Sequence, residues 1–208
     1  MSQTSFTIPA FAKINWFLRI LGKRDDNFHE LCTAFQTVSL CDYLTFSEND
    51  ELVLTCNDVN IPTGEQNLII RAAKILQKRF AINKGVKIHL EKNIPSPGGL
   101  GGGSADCAVA LLGLLKIWGL KISLSELCEI GKNLGSDVPF FFFGGTALGV
   151  GRGTEIFEFE DVQENFLLIV TPNISISTPT AFAKFNAPRL TNYSSKSIPK
   201  LCSDEAQK

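Results

Sequence analysis

Five of the six positions from Gly98 to Gly103 are glycine, and Ser104 follows them directly. Such a run lets successive backbone amides converge without interference from Cβ atoms. If a helix opens immediately afterwards, its unpaired N–H groups and the positive end of its dipole reinforce the same point. The product is an anion site suited to a nucleotide phosphate, with the Ser104 hydroxyl available to a phosphate oxygen or its Mg2+. Spacing sorts this loop among nucleotide-binding loops. No lysine follows the glycines, so the pattern G-x-x-x-x-G-K-[ST] fails. Counted from Gly99, the dinucleotide pattern G-x-G-x-x-G requires glycine where Ser104 stands, and the same residue rejects the protein-kinase glycine loop. Glycine carries a backbone-entropy penalty, so this density argues for close approach by a ligand over a slack turn.

The elements around the loop must hold it in place. Val86–Glu91 alternates strictly, with Val86, Ile88 and Leu90 facing one way and Lys87, His89 and Glu91 the other, which predicts a strand. After the glycines, an apolar run predicts a helix from Ser104, an acceptable N-cap, to about Trp118. Apolar residues at helical spacing predict an earlier helix over 68–80. Ser123-Leu124-Ser125-Glu126 is a capping box that opens a helix ending near Gly135. Residues 136–145 are turn-rich. Strand-like runs occur around Phe6 and Ile8 and over 31–40, 43–46, 52–55, 146–150, 155–159 and 166–170. Strands followed by clustered helices predict an α+β fold, not an alternating βαβ sheet. From Asn186 the chain turns polar and rich in Ser, Pro and Lys.

With 20 Lys+Arg against 21 Asp+Glu, the net charge is −1, so no electrostatic footprint for nucleic acid or a membrane surface is expected. Any phosphate must be held by a few placed groups. The six cysteines form no C-x-x-C pair or zinc spacing, and each is expected to be a small apolar residue in a reducing cytosol. The N-terminus lacks the basic and apolar regions of a signal peptide, and the longest apolar stretch, 138–143, is too short to span a bilayer. The expectation is a cytoplasmic protein with no membrane partner.

Three segments, in order, carry a resemblance. Pro95–Ser104 reads P-x-x-x-G-L-G-G-G-S, the phosphate loop of the GHMP kinases. Pro9–Leu31, with Ala12-Lys13-Ile14-Asn15, Gly22-Lys23-Arg24-Asp25 and Phe28-His29, resembles a pattern of the branch that phosphorylates a cytidine diphosphate-linked methylerythritol. Asn133–Phe141, containing Gly135-Ser136-Asp137-Val138-Pro139, is similar to a third family segment. Asn67-Leu68-Ile69 and Ser177–Phe182 also match. The resemblance covers about residues 5–185.

The resemblance implies ATP-dependent transfer of the γ-phosphate to the substrate's 2-hydroxyl, in the methylerythritol phosphate pathway to isoprenoid precursors. Asp137 would be the catalytic base, and Lys13 would keep it ionised and steady the charge on the hydroxyl and γ-phosphate. Phosphoryl transfer needs positioning and charge stabilisation more than covalent chemistry, so this division of labour is sound. Asn15, Phe28, His29, Asp137, Thr178 and Phe182 would hold the substrate. His29 would bond the cytosine edge while Phe28 and Phe182 sandwich its ring. Asn67, Lys92, Pro95, Gly98, Gly99, Leu100, Gly101, Gly102, Gly103 and Ser104 would hold ATP. Mg2+ would accompany ATP without a dedicated protein site. The partner is thus a small molecule, and the protein a monomer or weak homodimer. The implied fold is a GHMP kinase fold, with a ribosomal protein S5 domain 2-like N-terminal domain over 1–157 and the start of a second α+β domain, apparently truncated, over 158–208.

Four departures stand out. Pro97 replaces a common glycine and removes an N–H donor, and Ala105 replaces a frequent serine. Asn27 stands where glycine is preferred, and asparagine tolerates positive φ best among the other residues. The late G-(S/T)-G motif of the second domain does not occur, so a shortened chain is expected. The alternatives are another GHMP small-molecule kinase, acting on a mevalonate-like or homoserine-like substrate, or an inactive nucleotide-binding fragment.

Overall fold

The computed structural model describes residues 5–162, 166–172 and 181. Its elements in chain order are β1 (Ser5–Lys23), β2 (His29–Ser47), β3 (Leu52–Cys56), α1 (Leu68–Phe80), β4 (Val86–Glu91), α2 (Gly102–Trp118), α3 (Leu124–Leu134), a 3-10 turn (Val138–Phe142), β5 (Thr146–Gly151) and β6 (Glu155–Phe159). This is the α+β arrangement expected.

The short N-terminal strand signals grow into one long hairpin. β1 and β2 pair antiparallel from Ser5 against Ser47 to Lys23 against His29. Asn27 closes the turn at φ 66, the left-handed conformation its place in the glycine-preferring position demanded. Register breaks fall between Phe11 and Lys13, Asn15 and Phe17, and Ile20 and Gly22. Such breaks bend a ribbon and re-aim its side chains. The other edge of β2 pairs with β5 through Leu31–Gln36 and with β4 through Tyr43–Ser47. β3 lies parallel to β4 and β6 antiparallel to β5, giving the order β3-β4-β2-β5-β6 with β1 beside β2.

The helices bury one face of this sheet. Leu44, Phe46, Ile88 and Leu90 from the strands meet Ile69, Leu76, Leu111 and Leu114 from α1 and α2, each 1% exposed or less. Gly113 makes the contact possible, since a Cβ there would stand 2.2 Å from Phe46 Cζ. No helix among the described residues is long and apolar enough to cross a membrane.

Two expectations need correction. α2 begins at Gly102, not Ser104, because Gly101 turns the chain at φ 72 and its carbonyl already accepts from Ala105 N at 2.8 Å. Ser104 therefore lies inside the first turn. Residues 166–170 form no strand, and Phe166 and Leu168 are 96% and 91% exposed. An apolar run becomes a strand only where an edge pairs with it, and none does among the described residues. Cys32 is buried in β2 as expected, within the small cluster it forms with Ala34, Leu148 and Val150.

Candidate active site

Lys13 follows directly on the first register break of β1, and its backbone N–H donates to Leu100 O at 2.9 Å. Residues two apart on a strand share a face. Lys13 and Asn15 therefore lie side by side, and Lys13 Nζ donates to Asn15 Oδ1 at 2.8 Å. Asn15 Nδ2 donates to Thr33 Oγ1 at 2.6 Å, and that hydroxyl donates to Phe17 O at 2.7 Å. The relay fixes the asparagine amide with its oxygen towards the ammonium. Beneath the ammonium lies the Phe35 ring, 5.5 Å to its centroid, itself stacked on Phe140 at 4.8 Å.

Asp137 stands at the head of the 3-10 turn, with its side chain free of any capping bond, and Val138 and Phe140 behind it are fully buried. Its Oδ2 lies 3.4 Å from Lys13 Nζ. The lysine side chain is 8% exposed and the aspartate 34%, so the cation is sheathed while the anion opens outward. A separation of 3.4 Å exceeds an ordinary N–H···O bond. An ammonium has three donors, and with one given to Asn15 the others remain for Asp137 and for an oxygen between them.

The glycine loop runs over this pair. Leu100, 7% exposed, anchors it against Ala12 and Ile94, while residues 95–99 are exposed. A Cβ on Gly101 would stand 2.9 Å from Lys13 Cγ and 2.8 Å from Phe141 Cζ, so glycine alone lets the loop cross the lysine stem. A Cβ on Gly103 would meet nothing within 4 Å, which marks that residue as facing open space. Ser104 Oγ approaches the Asp137 segment, 3.6 Å from where a Gly135 Cβ would stand. The N-terminus of the 17-residue α2, with its unpaired N–H groups, thus opens beside Lys13 and Asp137.

Two expected nucleotide-side residues have their polar atoms engaged within the protein. Asn67 is the N-cap of α1, where Oδ1 accepts from Ile69 N at 2.9 Å and Nδ2 donates to Pro62 O at 2.7 Å. Lys92 Nζ bonds both Asp42 and Asp106, the latter at 3.0 Å, with every side chain at 5% exposure or less. Pro95, Gly98 and Gly99 lie on the exposed stretch of the loop.

The tip of the long hairpin carries Phe28, 46% exposed, with half-buried His29 beginning β2. Asp26 Oδ1 steadies the tip by accepting from Phe28 N at 3.1 Å. From the β5–β6 turn, the Arg152 guanidinium stacks 3.4 Å from the Phe28 ring centroid. Thr178 and Phe182 lie outside the described residues. Among the described residues, no group of three or more His, Cys, Asp or Glu could hold a metal ion.

The sequence reading missed Thr33, Phe35 and Arg152, as well as the Asp42 and Asp106 carboxylates. Thr33 and Asp42, both 0% exposed, left a faint trace as polar residues in largely apolar strand runs. Arg152 left none, since only the adjacency of two hairpin tips brings it to Phe28. What the assembled groups offer is a sheathed cation, an outward carboxylate and an anion cradle, within one small volume. That set can hold a phosphate, stabilise added charge and accept a proton.

The model of the GHMP kinases N terminal domain matches residues 67–145. The chain is 40% identical over 179 residues to the 4-diphosphocytidyl-2-C-methyl-D-erythritol kinase of Caldanaerobacter subterraneus, covering 86% of this chain and 62% of that protein. The enzyme of the same name from Enterococcus faecalis is 43% identical over 173 residues, covering 82% and 61%. The chain thus spans about three fifths of the length of these curated relatives. A crystal structure of 4-(cytidine 5'-diphospho)-2C-methyl-D-erythritol kinase superposes with a TM-score of 0.70 at 31% identity, covering 89% of this chain and 68% of that one. The Methanococcus jannaschii mevalonate kinase, at 15% identity and a TM-score of 0.56 over 76% of this chain and 56% of that one, shares the fold. The chain belongs to the GHMP kinase family, in its 4-diphosphocytidyl-2-C-methyl-D-erythritol kinase branch.

Proposed function

We propose that this protein transfers the γ-phosphate of ATP to the 2-hydroxyl of 4-diphosphocytidyl-2-C-methyl-D-erythritol, a step towards isoprenoid precursors. The observation that carries the reading is the Lys13–Asp137 pair, 3.4 Å apart, at the mouth of the glycine loop. Asp137 accepts the proton of the attacking hydroxyl. Lys13, held by Asn15, stabilises the negative charge that develops on the hydroxyl and the γ-phosphate. The N–H groups of Gly102, Gly103 and Ser104 cradle the phosphates, and Asn15, Phe28 and His29 hold the substrate with Thr178 and Phe182. The loop and the outward carboxylate fit a nucleotide carrying Mg2+, and the Ser104 hydroxyl would be available to it. When bound, the ion screens the phosphate charge. Residues 1–157 form the N-terminal domain of the kinase and 158–208 begin the next, and the protein works in the cytoplasm.

The test is ADP release from MgATP and the substrate by the chain and by Asp137→Asn. A fall of about 10²–10⁴-fold in the variant is expected for loss of a general base. Equal turnover in both refutes the assignment of the base. Mevalonate and homoserine as acceptors separate this enzyme from others of its family. Nucleotide binding without turnover in either protein would make the chain a binding unit.

A further inference from the structure

At the tip of the long hairpin stands a cation to which the phosphoryl-transfer scheme gives no task. β5 ends beside the hairpin, with Gly151 opposite Leu31, and Gly153 N donates to Val150 O at 3.0 Å to close the turn into β6. Gly151 and Gly153 lie at φ 68 and 85, a left-handed conformation on each side of Arg152. The turn so made carries the Arg152 side chain across to Phe28, where the guanidinium carbon stands 3.4 Å from the ring centroid. The Arg152 Nε is buried and has no hydrogen-bond partner among the described residues. The neighbouring Arg24, by contrast, is engaged with both Asp26 and Glu30.

At 3.4 Å nothing fits between the guanidinium and the ring, so the 46% exposure left to Phe28 lies on its opposite face and edges. The ring is held from behind and open in front. Asp26 Oδ1, accepting from Phe28 N at 3.1 Å, fixes the backbone of the same residue. Backbone and ring are therefore both set before any ligand arrives. An aromatic face presented in this way is a platform for a second flat ring, and every nucleobase has a π-face to lay on it. The cation also draws on the negative face of the ring, which lessens its repulsion of a second π-system.

We propose that Arg152 is a positioning residue for the pyrimidine of the substrate: by stacking behind Phe28 it fixes the ring whose other face receives the base. This rests on the reading of Phe28 as part of the substrate site. Arg152 does not touch the base in this scheme, because the ring stands between them. Its planar guanidinium matches the face of the ring, which the compact ammonium of a lysine on its flexible stem cannot do. The effect falls on the acceptor substrate alone, since Arg152 reaches the hairpin tip and not the phosphate loop.

The test is calorimetric titration of the full chain with cytidine 5′-diphosphate and with cytidine, for the wild type, Arg152→Met, Phe28→Leu and the double variant. Methionine keeps an unbranched stem and removes the guanidinium. Arg152→Met is expected to weaken both ligands by the same factor, roughly 2–30-fold, the range of one cation–π contact. In the Phe28→Leu background the same change should add no further loss, because the two residues act as one unit. In turnover, KM for the substrate rises in Arg152→Met while kcat and the affinity for MgATP hold, a split that a general disturbance of the fold would not give. A loss confined to cytidine 5′-diphosphate, or one that persists without Phe28, makes Arg152 a partner of the phosphates and overturns the proposal. Equal affinities in wild type and Arg152→Met overturn it while the substrate site stands. A wild-type chain that binds neither ligand overturns both.

Discussion

Two glycines of the loop, two residues apart, should respond in opposite ways to the same added methyl group. Gly101 sits at φ 72, and alanine there costs about 1–2 kcal/mol for the left-handed backbone alone. Its Cβ would also lie 2.8 Å from Phe141 Cζ and 2.9 Å from Lys13 Cγ. Relieving both contacts requires Phe141 or the lysine stem to move, an overpacking penalty of about 1–3 kcal/mol. Gly101→Ala is therefore expected to lose about 2–5 kcal/mol of stability. It should also pull Lys13 away from Asn15 and Asp137. Gly103 has negative φ inside α2, and a Cβ there meets nothing within 4 Å. Alanine in a helix gains about 0.5–1 kcal/mol over glycine, so Gly103→Ala should be neutral or slightly stabilised.

Urea denaturation measures one half of this contrast and MgATP titration the other. The open space in front of Gly103 is where the phosphates are proposed to enter. Gly103→Ala should therefore weaken MgATP binding while keeping its stability, and Gly101→Ala should lose both. Equal stability for the two variants would refute the steric account of the loop crossing Lys13. Undiminished MgATP binding by Gly103→Ala would refute the placement of the phosphates.

Two further outcomes follow from the buried polar groups. Thr33→Val keeps the shape of the side chain but leaves Asn15 Nδ2 and Phe17 O without their shared partner. It should cost about 1–3 kcal/mol and lower kcat with little change in MgATP affinity, because Asn15 can then release Lys13 without disturbing the loop; unchanged kcat would sink the relay. Asp106, raised by burial from 3.8 to about 7, binds its proton more tightly folded than unfolded. Its contribution to stability is present below pH ~4 and lost as the pH rises to ~7. Denaturant titrations at pH 5 and 8 should show Asp106→Asn gaining on the wild type by roughly 2–3 kcal/mol, and a constant difference would refute this.

The sequence was most legible where one residue type has one physical use. Alternation over Val86–Glu91 gave β4 to the residue, and the Ser123 capping box gave the start of α3. Legibility failed where a decision is made at a distance. The start of α2 depends on the left-handed turn at Gly101, which is needed because Lys13 and Phe141 pass beneath it. The hairpin is continuous because β2 finds partners on both edges, β1 along its length and then β5 and β4 in succession. Residues 166–170 have a strand's composition but no partner edge among the described residues. For the site, Lys13, Asn15 and Asp137 were found through motif resemblance, whereas the groups that orient them lie on other strands and carry no motif.

The two lysines that flank the loop show why motif and geometry must be weighed separately. Lys13 and Lys92 both lie under the glycines, both are nearly buried, and both pair with aspartate. What differs is the other side of each pair. Asp137 is 34% exposed and leaves Lys13 with donors to spare, so the pair can admit a substrate oxygen between cation and anion. Asp42 and Asp106 are sealed at 0% and 5% exposure and together outmatch the charge of Lys92. A substrate oxygen reaching Lys92 would have to displace a buried carboxylate and leave it unpaired, which costs several kcal/mol, about 3–5 in cases where one partner of a buried pair is removed. No such displacement is needed at Lys13. On the proposed function, the chemistry falls to the lysine whose partner faces outward, while the lysine whose partners face inward lies sealed against the loop backbone at Gly102.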